Sequence, residues 1–106
     1  MGLTKAELFT ERQKRIAQLT KTLGHPARIA ILMYLMKKNA CVCGDIVGKI
    51  PLAQSTISQH LKALKQAGII QGEISGTKTC YCIDPTVWQE MRTVLNTFFS
   101  GYQGGC

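Results

Sequence analysis

What this sequence lacks narrows the field first. No apolar run exceeds the eight residues from Ile29 to Met36, far short of the roughly 20 needed to span a bilayer. The opening stretch MGLTKAELFTERQKR has neither the apolar segment nor the small-residue cleavage site of a secretory signal. A cytoplasmic protein with no membrane association is therefore expected. Low-complexity blocks, internal repeats and interdomain linkers are absent too, and 106 residues suit one domain, residues 1–106, with its own core. Acid is scarce: from Arg12 to Lys65, Asp45 alone stands against ten Lys and Arg. No Cys-x-x-Cys motif occurs and no convincing base sits near a nucleophile, which argues against a thiol enzyme or a metal carrier.

Among the features present, a net charge of +7 matters most. Such a polycation attracts phosphate backbones and releases counterions on binding, so nucleic acid leads the list of partners. A merely soluble basic surface is the alternative. The five cysteines are read as reduced thiols serving as core filler, metal ligands or redox sensors, because an odd count without a secretory signal fits a closed disulfide framework poorly.

Apolar periodicity and punctuation place the elements. Thr4-Lys5-Ala6-Glu7 has capping-box form and predicts a first helix with Phe9, Ile16, Leu19 and Leu23 on one stripe, ended by Gly24. Pro26 opens a second, central helix that is apolar on nearly every side and stops at Lys37, Lys38 and Asn39. Asp45 to Ile50 is read as a short third helix broken by Pro51. Gln54 to Ala67 is a fourth, with Ile57, Leu61 and Leu64 on its buried face and Gly68 as a left-handed cap. Ile69 to Ser75 and Lys78 to Ile83 form a hairpin around Gly76-Thr77. Asp84-Pro85 then starts a last helix with the stripe Trp88, Met91, Leu95 and Phe98, and residues 100–106 are expected to fray. The order is α-α-α-α-β-β-α, mainly α with a small β-hairpin.

A short helix, a tight turn and a helix whose outer face carries Lys and amide side chains make a helix-turn-helix unit, and the hairpin behind it makes a winged one. Gln59 can pair with an adenine edge, Ser55 and Ser58 can bond bases or phosphates, and Lys62 and Lys65 can neutralise phosphates. An ordinary amphipathic surface helix is the plain alternative. The turn, the basic bias and the hairpin together favour the DNA reading.

At this point the chain resembles the ArsR/SmtB metalloregulators, winged-helix repressors of prokaryotes. The similarity runs from Leu23 to Pro85 through LGHPARIAIL, CVCGDIV, LAQSTISQHLKALKQAGII and GTKTCYCIDP, and is most specific in QSTISQHLKALKQAG. It implies a homodimer, first and last helices packed between subunits, that binds double-stranded operator DNA and leaves it when an inducer binds. With the resemblance in view, Thr56, His60 and the wing residue Lys78 join the candidate DNA contacts. For His25 and His60 a local structural or phosphate-contacting role outweighs metal ligation. Departures also count. The last helix contains no histidine, so the zinc site that some members build there is excluded in that form. Ala53 stands where a hydroxyl N-cap is expected, which predicts a loosely started recognition helix.

Other members bind arsenite or soft metals through a CVCD motif. Here Gly44 separates Cys41-Val42-Cys43 from Asp45, shifting both thiols onto positions usually apolar in the family and favouring core filling. Against this, Cys80 and Cys82 share one face of the outgoing hairpin strand, and a winged helix commonly brings the segment holding Cys41 and Cys43 alongside. Four thiols so placed form a candidate inducer site for As(III), Zn(II), Cd(II) or Cu(I), or a cross-strand disulfide. A thiol-redox or persulfide sensor on the same fold is the alternative. Cys106 either completes a site or does nothing.

Overall fold

The computed structural model describes residues 2, 5–44, 46, 48–75 and 78–105, and at 5, 6, 43, 74, 75 and 78 the backbone alone. Thr4 of the expected capping box, Asp45, the Gly76-Thr77 turn and Cys106 lie outside the described residues.

The helix expected from Thr4 to Leu23 is two helices, α1 (Lys5–Leu8) and α2 (Glu11–Leu23). Thr10 separates them because it makes its own capping box. Its Oγ1 accepts the Gln13 N–H at 3.1 Å, and Gln13 Oε1 accepts the Thr10 N–H at 2.9 Å. Phe9 is thereby left in the break, exposed, while Leu19 of α2 enters the core.

Helix α3 (Pro26–Lys38) follows, with Pro26 in its first turn and Asn39 closing it at φ 49°. Ala27, Ile31, Leu32 and Leu35 are buried, but Ile29, Met33 and Met36 are not. The central helix is apolar on nearly every side, as expected, but only one of its faces is buried. Strand β1 (Val42–Cys43) comes next. The short helix expected over residues 45–50 is replaced, at the described residues, by bends and a turn, with Gly48 at φ 107°, a conformation no helix uses.

Helix α4 (Gln54–Gln66) buries Ile57, Leu61 and Leu64, as its spacing predicts. Gly68 at φ 81° reverses the chain, and the Ile69 N–H reaches back to the Leu64 carbonyl at 3.0 Å, satisfying an end-of-helix acceptor. Strands β2 (Ile70–Ser75) and β3 (Lys78–Ile83) form the hairpin, and β1 adds to the far side of β3 in an all-antiparallel sheet ordered β1-β3-β2. Helix α5 (Pro85–Ser100) starts on Asp84, whose Oδ1 accepts the Thr86 and Val87 N–H groups. Ser100 closes α5, and residues 102–105 carry no regular structure.

One core joins these parts. Leu19, Ile31, Leu32, Leu35, Val42, Ile46, Ile50, Ile57, Leu61, Leu64, Ile69, Ile70 and Met91 form a single buried cluster. Since α3, α4 and the sheet all insert into it, α4 and the hairpin are held in fixed relation. The architecture is the winged helix-turn-helix expected from the sequence.

Candidate nucleic-acid interface and cysteine pair

With Ile57, Leu61 and Leu64 turned inward, 3.6-residue periodicity turns Ser55, Ser58, Gln59, Lys62 and Lys65 to solvent, and all five are exposed. No acidic residue interrupts this helix. Ala53 makes no side-chain cap at its start, as its methyl dictates. Thr56 is half-buried at the margin. Lys78 opens β3, with its side chain outside the described residues. Lys65 leans on the wing: a Cβ added at Gly72 would meet its Nζ at 3.2 Å, so the absent side chain of Gly72 makes room for this lysine. A glycine inside a β-prone run was the available signal for this approach.

His60 is the correction within the group. It is 8% exposed, facing inward instead of joining the outer face. Its Nδ1 accepts from Arg28 Nε at 3.2 Å, and Arg28 also donates to the Thr22 carbonyl at 3.1 Å. The His25 ring lies 4.2 Å from the His60 ring, centroid to centroid, while His25 Nδ1 caps α3 by accepting the Ala27 N–H. Burial first, then electrostatic repulsion from the neighbouring His25 and Arg28 side chains, push the His60 imidazole below its ordinary value. His60 is thus a neutral acceptor tying the recognition helix to the start of α3. Arg28 was legible in the sequence only as one cation among ten, because its partner is 32 residues away.

Away from α4 in the chain, Arg15 of α2 meets Glu90 of α5 at 2.8 Å. The expected dimer stripe divides here. Met91 is buried in its own core, Trp88 is half-buried against that core, and Ile16 and Leu95 are half-buried. Phe9 and Phe98 are exposed, together with Leu8, Phe99 and Tyr102. Phe98, Phe99 and Tyr102 line a shallow concavity with Arg12.

Strand register decides the cysteines. Val42 faces Tyr81 and Cys43 faces Cys80. The Cys41 and Cys82 Cα atoms stand 4.4 Å apart, and their sulfurs are joined in a disulfide. The expectation of reduced thiols is corrected for this pair, because antiparallel pairing carries the residues flanking the register into bonding range. Cys80 is buried and also disulfide-bonded, and the side chain of Cys43 lies outside the described residues. Among the described residues no group of three or more His, Cys, Asp or Glu side chains is placed to hold a metal ion. Beside the Cys41–Cys82 bond, between the end of α3 and the start of α5, opens a groove of about 530 Å³ lined in part by Met36, Trp88 and Arg92. No helix among the described residues is long and apolar enough to cross a membrane.

A family model described as "Bacterial regulatory protein, arsR family" matches residues 25–71. The "HTH-type transcriptional repressor SmtB" of Mycobacterium tuberculosis is 41% identical over 64 residues, covering 60% of this chain and 47% of the repressor, so the match spans about half of that relative. An HTH-type transcriptional regulator of Methanocaldococcus jannaschii, MJ1325, is 38% identical over 74 residues, covering 69% of this chain and 82% of that protein. The crystal structure of Mycobacterium tuberculosis Rv0081 superposes with a TM-score of 0.67 at 30% identity, covering 88% of this chain and 97% of that one.

Proposed function

This chain belongs to the arsR family of bacterial regulatory proteins, and we propose that it is a homodimeric repressor whose α4 reads operator DNA and whose cysteines set operator affinity. The observation that carries the DNA reading is the outer face of α4: Ser55, Ser58, Gln59 and Lys62 are exposed on a helix fixed from behind by three buried aliphatic side chains. A helix so held can enter a major groove without losing its own packing. Gln59 offers the paired donor and acceptor that an adenine edge requires, and Lys62 and Lys65 offer charge to phosphates. Homodimerisation is assigned to the exposed aromatic side chains Phe9, Phe98, Phe99 and Tyr102. The test is binding to a palindromic operator fragment selected from random sequence. Gln59→Ala relaxes preference at one base pair, whereas a protein that binds every fragment alike, or none, overturns the reading.

For the cysteines, the bonded pair favours thiol-redox sensing over capture of a soft ion. As(III), Zn(II), Cd(II) and Cu(I) are all held by thiolates. Cys41 and Cys82 in their bonded form have none to offer, and Cys80 is disulfide-bonded as well. Ion binding here therefore requires two-electron reduction first. In this reading the bonded form is the released one, and a tenfold loss of operator affinity on oxidation corresponds to about 1.4 kcal/mol of coupling. Operator affinity is measured on oxidised protein, on reduced protein, and on reduced protein with arsenite or cadmium. Loss of affinity on oxidation that disappears in Cys41→Ser and Cys82→Ser supports the redox reading. Loss only with the ion, at stoichiometry, returns the site to soft-ion sensing.

A further inference from the structure

We propose that the groove beside the Cys41–Cys82 bond is a docking site for low-molecular-weight thiols bearing a carboxylate, and that such a thiol opens the bond by attack on the Cys41 sulfur. The inference deepens the redox reading and rests on its bonded pair, but on no effect at the operator.

Three features of the groove point this way. Its wall contains a reactive bond, since both Cys41 and Cys82 line it. Cys41 is the more exposed residue of the two and Cys82 is half-buried, which favours approach from the Cys41 side of the bond. Buried Cys80, 5% exposed, does not line the groove. The groove is also selective in charge. Arg92 of α5 is exposed on its rim, makes no ion pair among the described residues, and donates to the neutral Gln89 Oε1 at 3.2 Å. No carboxylate appears among the lining side chains. Finally, Met36 and Trp88 give the groove apolar walls, which suit the methylene body of a small thiol better than bulk water does.

The exchange balances as follows. The thiolate RS⁻ bonds to Cys41 Sγ, the Cys41–Cys82 bond breaks, and the electron pair leaves on Cys82 Sγ, which takes up a proton. A second thiolate attacks the R-side sulfur of the mixed disulfide, giving RSSR and releasing Cys41 as a thiolate that is then protonated. Two thiols lose two electrons in all, and the protein disulfide gains two electrons and two protons.

The experiment uses the oxidised full chain and three thiols of equal length: 3-mercaptopropionate, 3-mercaptopropan-1-ol and 3-aminopropane-1-thiol. Rates are corrected for thiolate fraction and for thiol basicity. Trp88, the one tryptophan, lines the groove and reports bond opening through loss of disulfide quenching. Mass spectrometry of the trapped adduct identifies the sulfur attacked. The carboxylate thiol reacts about fivefold faster than the alcohol, the effect expected of one solvated unit charge at contact range, and the amine reacts slowest. Arg92→Gln brings the three rates together, Arg92→Lys restores the order, and Lys21→Gln, which removes the same charge away from the groove, leaves it intact. A preference that survives Arg92→Gln, one that Lys21→Gln abolishes equally, or a first adduct on Cys82 or Cys80 overturns the proposal. If exchange follows this pattern while oxidised and reduced protein bind operator equally, the groove assignment stands and the redox-repressor reading falls.

Discussion

Helices α4 and α5 rest on the same core, yet their outer faces differ in kind. The outer face of α4 carries hydroxyls, amides and lysines, while that of α5 ends in Phe98, Phe99 and, just beyond it, Tyr102. A helix face that meets water or phosphate has no use for aromatic rings, and a face that meets another apolar surface gains little from lysines. Buried periodicity therefore shows where a helix is anchored, and the composition of its other side shows what it is for.

The sharpest way to break this contrast is to attack the shared core. Leu64→Ala removes a fully buried side chain from α4, and a loss of about 2–5 kcal/mol is expected in denaturant unfolding. Next in size is the aromatic end. The pair Phe98→Ser and Phe99→Ser should weaken dimerisation by about 2–3 kcal/mol, from the apolar area left in water, with monomer helicity unchanged. Sedimentation velocity across a dilution series checks it, and an unaltered dimer would move the interface elsewhere. Lys62→Ala should cost about 1 kcal/mol against every DNA sequence alike and lower the salt slope by about one, with no change in thermal stability.

A fourth prediction concerns His60, which ties α4 to the start of α3. Its imidazole is held below the ordinary value of 6.5 in the folded chain, so below that pH the unfolded chain binds the proton more readily. Stability falls as pH drops through 6.5 and downward. Urea unfolding between pH 7.5 and 5.5 should show the decline in the native protein and a flatter profile in His60→Asn. Smallest of all is Arg15→Gln. The pair it breaks with Glu90 is partly exposed, and a change of about 0.5 kcal/mol or less is expected in thermal unfolding.

Much of this was legible along the chain, for local reasons. The buried triplet of α4, the reversal at Gly68, the Asp84-Pro85 start of α5 and the uncapped Ala53 depend on residues within a turn or two of one another. Thr4 and Thr10 both begin capping-box patterns, and pattern alone does not say that the second one interrupts the helix. What escaped is non-local. Burial of His60 requires Arg28 from another helix, and the division of the α5 stripe depends on how far Met91 sinks into the core. The pairing of Cys41 with Cys82 needed the strand register, which spacing permits but does not select.

The Cys41–Cys82 bond also has a topological meaning. It ties residues 41 apart into a ring that holds α4 and the hairpin, while α2, α3 and α5 hang from it as linear arms. A single backbone cut inside the ring leaves the molecule in one covalent piece until a reductant is added. Unfolding the ring does not open it, and the lost freedom of the denatured loop corresponds to about 4 kcal/mol at room temperature in the chain-entropy model. The reading head thus has a covalent closure in addition to the packing that it shares with the body.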